Sequence, residues 1–308
     1  MPEPTPDTEL TLTHGPYALT VSPYGASLRG LTHDTEPVIT GYHGEGGKVG
    51  GQGDVLIPFP GRVANGRYTF EGQTYQMPLN DKESPSAIHG FLRTQMWQAK
   101  EGAVDDSVIF HTELVPDQHP GYPFALSVAV TYALSDAGLT VSFTIENIGD
   151  GPAPVAAGFH PYFTAGSDHI DADTLHLPFD SYLEYDGLLP TGKVLSVDGS
   201  PYDFRQPRPI EGTAFNTCFA APRRDVDGLC RIRLAAPGDA RTRTVWLDSS
   251  LDYVVLYSGD PLPESHRRRS LAIEPMTCGS DAFNHPEWGL VALAPAQALT
   301  GSWGVTTE

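Results

Sequence analysis

Basic side chains are scarce in this chain: 19 Lys and Arg stand against 38 Asp and Glu, a formal net charge of −19. That balance excludes nucleic acid and anionic membrane surfaces as natural partners and reads as a solvated acidic surface. Cysteine is rarer still. Cys218, Cys230 and Cys278 are odd in number and lack paired ligand spacing. This argues against a disulfide scaffold or a structural zinc site, and for a reducing cytoplasmic setting. No apolar run approaches the length of a bilayer span. The opening Met1-Pro2-Glu3-Pro4 has neither the basic flank nor the apolar stretch of a signal peptide. The expectation is therefore a soluble cytoplasmic protein. Helical stripes and a repeat of fixed period are also missing, which sets aside helical bundles, propellers and solenoids. No His-Glu-x-x-His pair and no Gly-x-Ser-x-Gly elbow occurs, so zinc hydrolases and serine hydrolases lack their usual signatures.

Glycine and proline, by contrast, are plentiful at 32 and 28 of 308 residues, and they punctuate the chain at short intervals. Between them the apolar side chains alternate. Leu126-Ser127-Val128-Ala129-Val130-Thr131-Tyr132 and Leu139-Thr140-Val141-Ser142-Phe143-Thr144-Ile145 read as two strands joined by a hairpin loop over residues 135–138. A second hairpin is expected around Glu71-Gly72, and further strands over Thr244-Val245-Trp246-Leu247 and residues 253–257. The fold class expected is all-β: a large antiparallel sandwich, one domain over residues 1–308, with residues 1–10 a flexible tail. The glycine-dense stretch 44–51 lacks a following helix, so it reads as a flexible rim loop rather than a phosphate cradle.

Two segments carry chemistry. Leu271-Ala272-Ile273-Glu274-Pro275 delivers a carboxylate at the expected end of a strand, and Gly158-Phe159-His160-Pro161 delivers an imidazole in the same way. Proline then directs the exit of the chain. A carboxylate and a histidine facing each other are the minimum for taking a proton from one substrate atom and giving one to another. Burial of Glu274 beside Ile273 and Met276 would raise its pKa from about 4.3 and make it a better base. Arg62, in the turn Pro60-Gly61-Arg62, fits either a solvated surface arginine or a planar fork for ligand hydroxyls. His89, before Gly90, fits either a structural histidine or a site residue.

The order of these motifs is similar to that of the aldose 1-epimerase (galactose mutarotase) family. It runs through Arg62, His89-Gly90, Gly121-Tyr122-Pro123-Phe124, His160-Pro161-Tyr162-Phe163 and Glu274-Pro275-Met276-Thr277, with Leu79-Asn80 and Ala282-Phe283-Asn284 as lesser matches. The resemblance spans about Gly50 to Pro286. It implies a β-supersandwich with an open sugar cleft, Glu274 as general base on the anomeric hydroxyl, His160 as general acid on the ring oxygen, and Arg62 and His89 as sugar-binding residues. It also implies a sugar substrate, no cofactor, no required metal, and a monomer or homodimer. The chain departs from the family pattern at Phe215-Asn216-Thr217-Cys218-Phe219, where Asn216 stands in for a sugar-binding aspartate and removes a charge. Phe59, Phe91, Trp97 and Phe163 lie near the motifs as rings a sugar could stack on, with none singled out. Two alternatives stand beside a mutarotase of free aldoses such as galactose or glucose. One is a hexose-6-phosphate mutarotase, whose phosphate would need cations such as His266-Arg267-Arg268-Arg269, a segment that reads first as a solvated charged turn. The other is a non-catalytic sugar-binding protein of the same fold.

Overall fold

The computed structural model describes residues 5–100, 106–239 and 241–308, and among these it contains strands and short 3-10 turns but no α-helix. The alternation anticipated for the long hairpin is realised. Leu126, Val128, Val130 and Tyr132 of Leu126–Ser135 are buried, as are Leu139, Val141, Phe143 and Ile145 of Gly138–Asn147. The two strands pair in register from Leu126↔Asn147 to Ser135↔Gly138. The smaller hairpin joins Arg67–Phe70 to Gln73–Gln76. Glu71 and Gly72 both take positive φ (48° and 77°), the turn whose twist matches that of its flanking strands.

Among the described residues two large antiparallel sheets dominate. The nine-stranded sheet is centred on Leu126–Ser135, Gly138–Asn147, Ala298–Thr307 and Thr242–Leu247. The twelve-stranded sheet runs from Leu10–His14 through Ser27–His33, Glu36–Ile39 and Tyr162–Phe163. It continues through Leu271–Met276, Tyr253–Tyr257 and Asn216–Pro222 to Leu189–Ser196. One apolar core joins them. Trp303 of the smaller sheet packs against Phe159 and Phe163 of the larger, at ring distances of 5.7 and 6.4 Å. The Tyr132 hydroxyl donates to the Ala26 carbonyl at 2.6 Å, again crossing between sheets.

The tail expected over residues 1–10 falls partly on residues 1–4, which lie outside the described residues. Beyond them, Pro6 O and Glu9 Oε1 accept hydrogen bonds from the Arg29 guanidinium at 2.6 and 3.1 Å, and Leu10 opens a strand. The three cysteines are buried and form no disulfide. No helix among the described residues is long and apolar enough to cross a membrane.

One local feature positions the site. Leu271–Met276 is buried along its whole length, because both faces of the large sheet are covered here. The strand does not end at Glu274 as anticipated. Pro275 lies within it, opposite Val254. On the other edge the neighbouring strand is interrupted: Gly158 pairs with Met276 and Tyr162 pairs with Ala272, with His160-Pro161 between. Proline has no N–H for the ladder, so Pro161 and Pro275 both sit where pairing lapses. The register is the same on both sides of the gap. His160 is thus the residue opposite Glu274.

Candidate active site

Side chains alternate across a strand, so one face of these strands reads Phe159, Phe163, Ile273, Val254 and Leu256, all in the core. The other face reads His160, Tyr162, Glu274, Val255, Tyr257 and Asn216. These form the floor of a cavity of about 530 Å³, within the range of about 300–1,000 Å³ that holds small ligands. The walls come from residues 48–93, which fold over this face. Gly50 and Gly51, Arg62, residues 80–83, His89 and Arg93 line it. Arg62, His89, His160, Asn216 and Glu274, five residues singled out by pattern and resemblance, therefore share one pocket.

Glu274 is 3% exposed and His160 6%. His160 Nε2 lies 3.3 Å from Glu274 Oε1. Burial pushes the Glu274 carboxyl well above the usual carboxylate range; Arg62 pulls it down and Asp54 adds to the rise. Burial likewise lowers His160 to about 3, and the cations of Arg93 and Lys48 add to this. Its Nδ1 has no hydrogen-bond partner among the described residues, so no carboxylate stands behind the ring to hold an imidazolium. His89 is held well below 6.5 by burial and by the neighbouring His160, Arg93, Arg62 and Lys48. Its Nδ1 accepts the Gly61 N–H at 3.2 Å, so the neutral ring carries its proton on Nε2 and can serve as a donor.

The supporting contacts were not visible from local sequence. Asp54, fully buried, pairs with both Lys48 and Arg93, and its carbonyl accepts the His160 backbone N–H at 3.0 Å. The Asp54 carboxylate thereby holds two pocket cations, and its backbone carbonyl holds the segment that carries His160. Arg62 donates to Asp81 (2.7 Å) and Glu83 (3.1 Å), which fixes its fork at the rim. Of the stretch over residues 44–51, expected as a flexible rim loop, Lys48, Gly50 and Gly51 line the cavity, and Gly51 is packed against His160. A Cβ at Gly51 would stand 2.5 Å from His160 Cδ2. Gly51→Ala is accordingly expected to displace the imidazole and lower kcat by about 10²-fold, the loss typical of a misplaced group. A kcat equal to that of the wild type would contradict this placement.

Arg62 supplies the positive charge that acts on Glu274. Removing it in Arg62→Gln leaves burial unopposed, raises the Glu274 pKa further, and protonates more of the base at a given pH. Glu274 titrates above His160, so it sets the alkaline limb of the kcat/KM pH profile; that limb should move to higher pH, by up to about one pH unit, and the plateau should fall. A limb that moves to lower pH would contradict the assignment.

Position bears on two alternatives left open by the sequence. Phe59, Trp97 and Phe163 are core rings and Phe91 packs against the core. The rings that line the pocket are Tyr162, Tyr185 and Tyr257 instead. None of His266, Arg267, Arg268 and Arg269 lines the cavity. Arg268 is held by Asp171 and Asp260, and Arg267 and Arg269 donate to the Leu262 and Asp168 carbonyls. Among the described residues no group of three or more His, Cys, Asp or Glu side chains is arranged to hold a metal ion.

Comparison with known proteins agrees with the β-rich fold. The family model described as aldose 1-epimerase matches residues 8–305. The uncharacterized protein YihR of Escherichia coli (strain K12) is 33% identical over 276 residues, covering 89% of this chain and 85% of that protein. Galactose mutarotase of Rattus norvegicus is 28% identical over 269 residues, covering 80% and 75%. Among solved structures, the GalM/aldose epimerase homologue from C. elegans superposes with a TM-score of 0.86 at 21% identity, covering 98% of each chain.

Proposed function

Because this chain belongs to the aldose 1-epimerase family, we propose that it interconverts the α and β anomers of a free aldose, with Glu274 as base and His160 as acid. One observation carries the reading: His160 and Glu274 face each other across adjacent strands with their tips 3.3 Å apart. The anomeric hydroxyl oxygen and the ring oxygen of a sugar are bonded to the same carbon, so a base and an acid this close can address both at once.

Glu274, ionised, takes the proton of the anomeric hydroxyl while His160, protonated, gives its proton to the ring oxygen. The bond from the anomeric carbon to the ring oxygen breaks, leaving an open-chain aldehyde. Rotation of the aldehyde end and closure on its other face reverses both transfers. Nothing is oxidised or consumed, so the steps need no cofactor. Burial disfavours the charged form of each group, which makes ionised Glu274 a strong base and protonated His160 a strong acid. Arg62 and the Nε2–H of His89 are placed to stabilise negative charge on sugar oxygens. Asn216 offers an amide that can both donate and accept.

A second reading, a phosphorylated aldose, has one observation in its favour. Lys82 lines the pocket and has no carboxylate partner among the described residues, whereas Lys48 and Arg93 share Asp54 and Arg62 has Asp81 and Glu83. Polarimetric relaxation of freshly dissolved α-anomers separates the readings. Acceleration of galactose or glucose is expected. Acceleration confined to the 6-phosphates would move the substrate to the phosphorylated class, and binding without acceleration would make this a sugar-binding protein.

A further inference from the structure

The row of residues that sets His160 opposite Glu274 has a third member. On the side away from Glu274, Gly158 pairs with Leu56 and Phe159 with Val55. The same register brings Asp54 opposite His160, whose N–H donates to the Asp54 carbonyl at 3.0 Å and whose carbonyl accepts the Gly53 N–H at 2.9 Å. Across the sheet the order is Asp54, His160, Glu274. The Asp54 side chain is buried and does not line the cavity. Nor does it face the imidazole, whose Nδ1 has no partner among the described residues. Its two oxygens are taken by cations that do line the cavity, Oδ1 by Lys48 and Oδ2 by Arg93 at 3.2 Å. Burial raises the Asp54 carboxyl, and the two cations oppose the rise.

Besides burial, Arg62 and Asp54 are the charges that act on Glu274, and they act in opposite directions. The other titratable groups facing Glu274 are His160 and Tyr162 on one neighbouring strand, Tyr257 on the other, and Tyr185 and Cys218 on the strands after it. All are neutral where Glu274 titrates, because burial holds His160 down and pushes the phenols and the thiol up.

We propose that Asp54 is a positioning residue for the acid/base pair: without touching the sugar, its carboxylate holds Lys48 and Arg93 beside His160 and balances the charge of Arg62 at Glu274. The proposal rests on the mutarotase reading above, in which Glu274 is the base.

The test compares Asp54→Asn with Lys48→Gln. Both break the same buried ion pair, but they remove charges of opposite sign, and asparagine keeps the backbone carbonyl that holds His160. In Asp54→Asn the alkaline limb of the kcat/KM profile should move to lower pH by about one unit. That is the Coulomb effect of one charge two strand spacings, about 10 Å, away. In Lys48→Gln the limb should stay or move to higher pH, since losing a cation cannot help ionise a carboxyl. A readout independent of activity is the gap in melting temperature between each protein and its Glu274→Gln counterpart. At alkaline pH this gap grows with the distance of the folded-state pKa above the unfolded one. It should be smaller with Asp54→Asn than in the wild type, and no smaller with Lys48→Gln. Should Asp54→Asn leave too much buried positive charge to fold, the Asp54→Asn/Lys48→Gln double variant should show the same decrease relative to Lys48→Gln. No decrease in the gap, or an equal decrease in Lys48→Gln, overturns the inference, as does an unmoved limb in active Asp54→Asn protein. Wild-type protein that interconverts no aldose overturns the mutarotase reading instead, and the melting gap still decides the role of Asp54.

Discussion

Glu274→Gln is expected to lower kcat for anomer interconversion by about 10²–10⁴-fold, the usual contribution of a positioned base, with little change in KM. Glutamine keeps the shape and a carbonyl acceptor but cannot take a proton. The same substitution should stabilise the folded protein at neutral and alkaline pH. Burial raises the folded-state pKa of Glu274 above its unfolded value of about 4.3. A group shifted in this direction contributes its full stability below the unfolded pKa and loses it as pH rises through the folded one. The wild type carries that loss and the glutamine variant does not, so their difference in melting temperature should grow as pH rises from about 4.3. Polarimetric rates and thermal melts between pH 5 and 8 check both halves. Near wild-type turnover, or a stability gap that widens as pH falls, would count against Glu274 as a buried base.

His160→Gln should show a comparable kinetic loss and the opposite pH trend. Here burial depresses the folded-state pKa to about 3, against about 6.5 in the unfolded chain. Below about pH 6.5 the unfolded chain binds a proton that the folded protein resists until about pH 3, so wild-type stability falls over that window. Glutamine at 160 removes this acid-side loss. The stability advantage of His160→Gln should therefore grow as pH falls, while that of Glu274→Gln grows as pH rises. A merely structural role for either residue would give no such mirrored pair. Parallel pH trends in the two variants would refute the electrostatic picture of the site.

Local pattern carried the β class and much of the chemistry. Alternation identified the 126–147 hairpin, and the proline-flanked Glu274 and His160 stood out because each breaks an apolar run. What local pattern cannot contain is pairing between residues more than a hundred positions apart. That His160 lies opposite Glu274 follows from a register shared across a gap in the strand, and Pro275, read as a stop, is tolerated because the ladder already lapses there. The pocket wall over residues 44–51 and the clamp of Lys48, Asp54 and Arg93 depend on how those segments pack over the sheet. Alternation places Tyr162 on the face of His160, which marks it as a pocket ring ahead of Phe159 or Phe163.

In the proposed reaction a single acid/base pair opens and closes a sugar ring. Exchange-transfer NMR on an anomeric mixture of galactose or glucose at equilibrium tests it most directly, since neither coupling enzymes nor net conversion is needed. Cross-saturation between the α and β H1 signals is expected to scale with wild-type protein concentration and to fall to the buffer rate in both Glu274→Gln and His160→Gln. Undiminished exchange in either variant, or wild-type exchange no faster than buffer for every aldose, would contradict it.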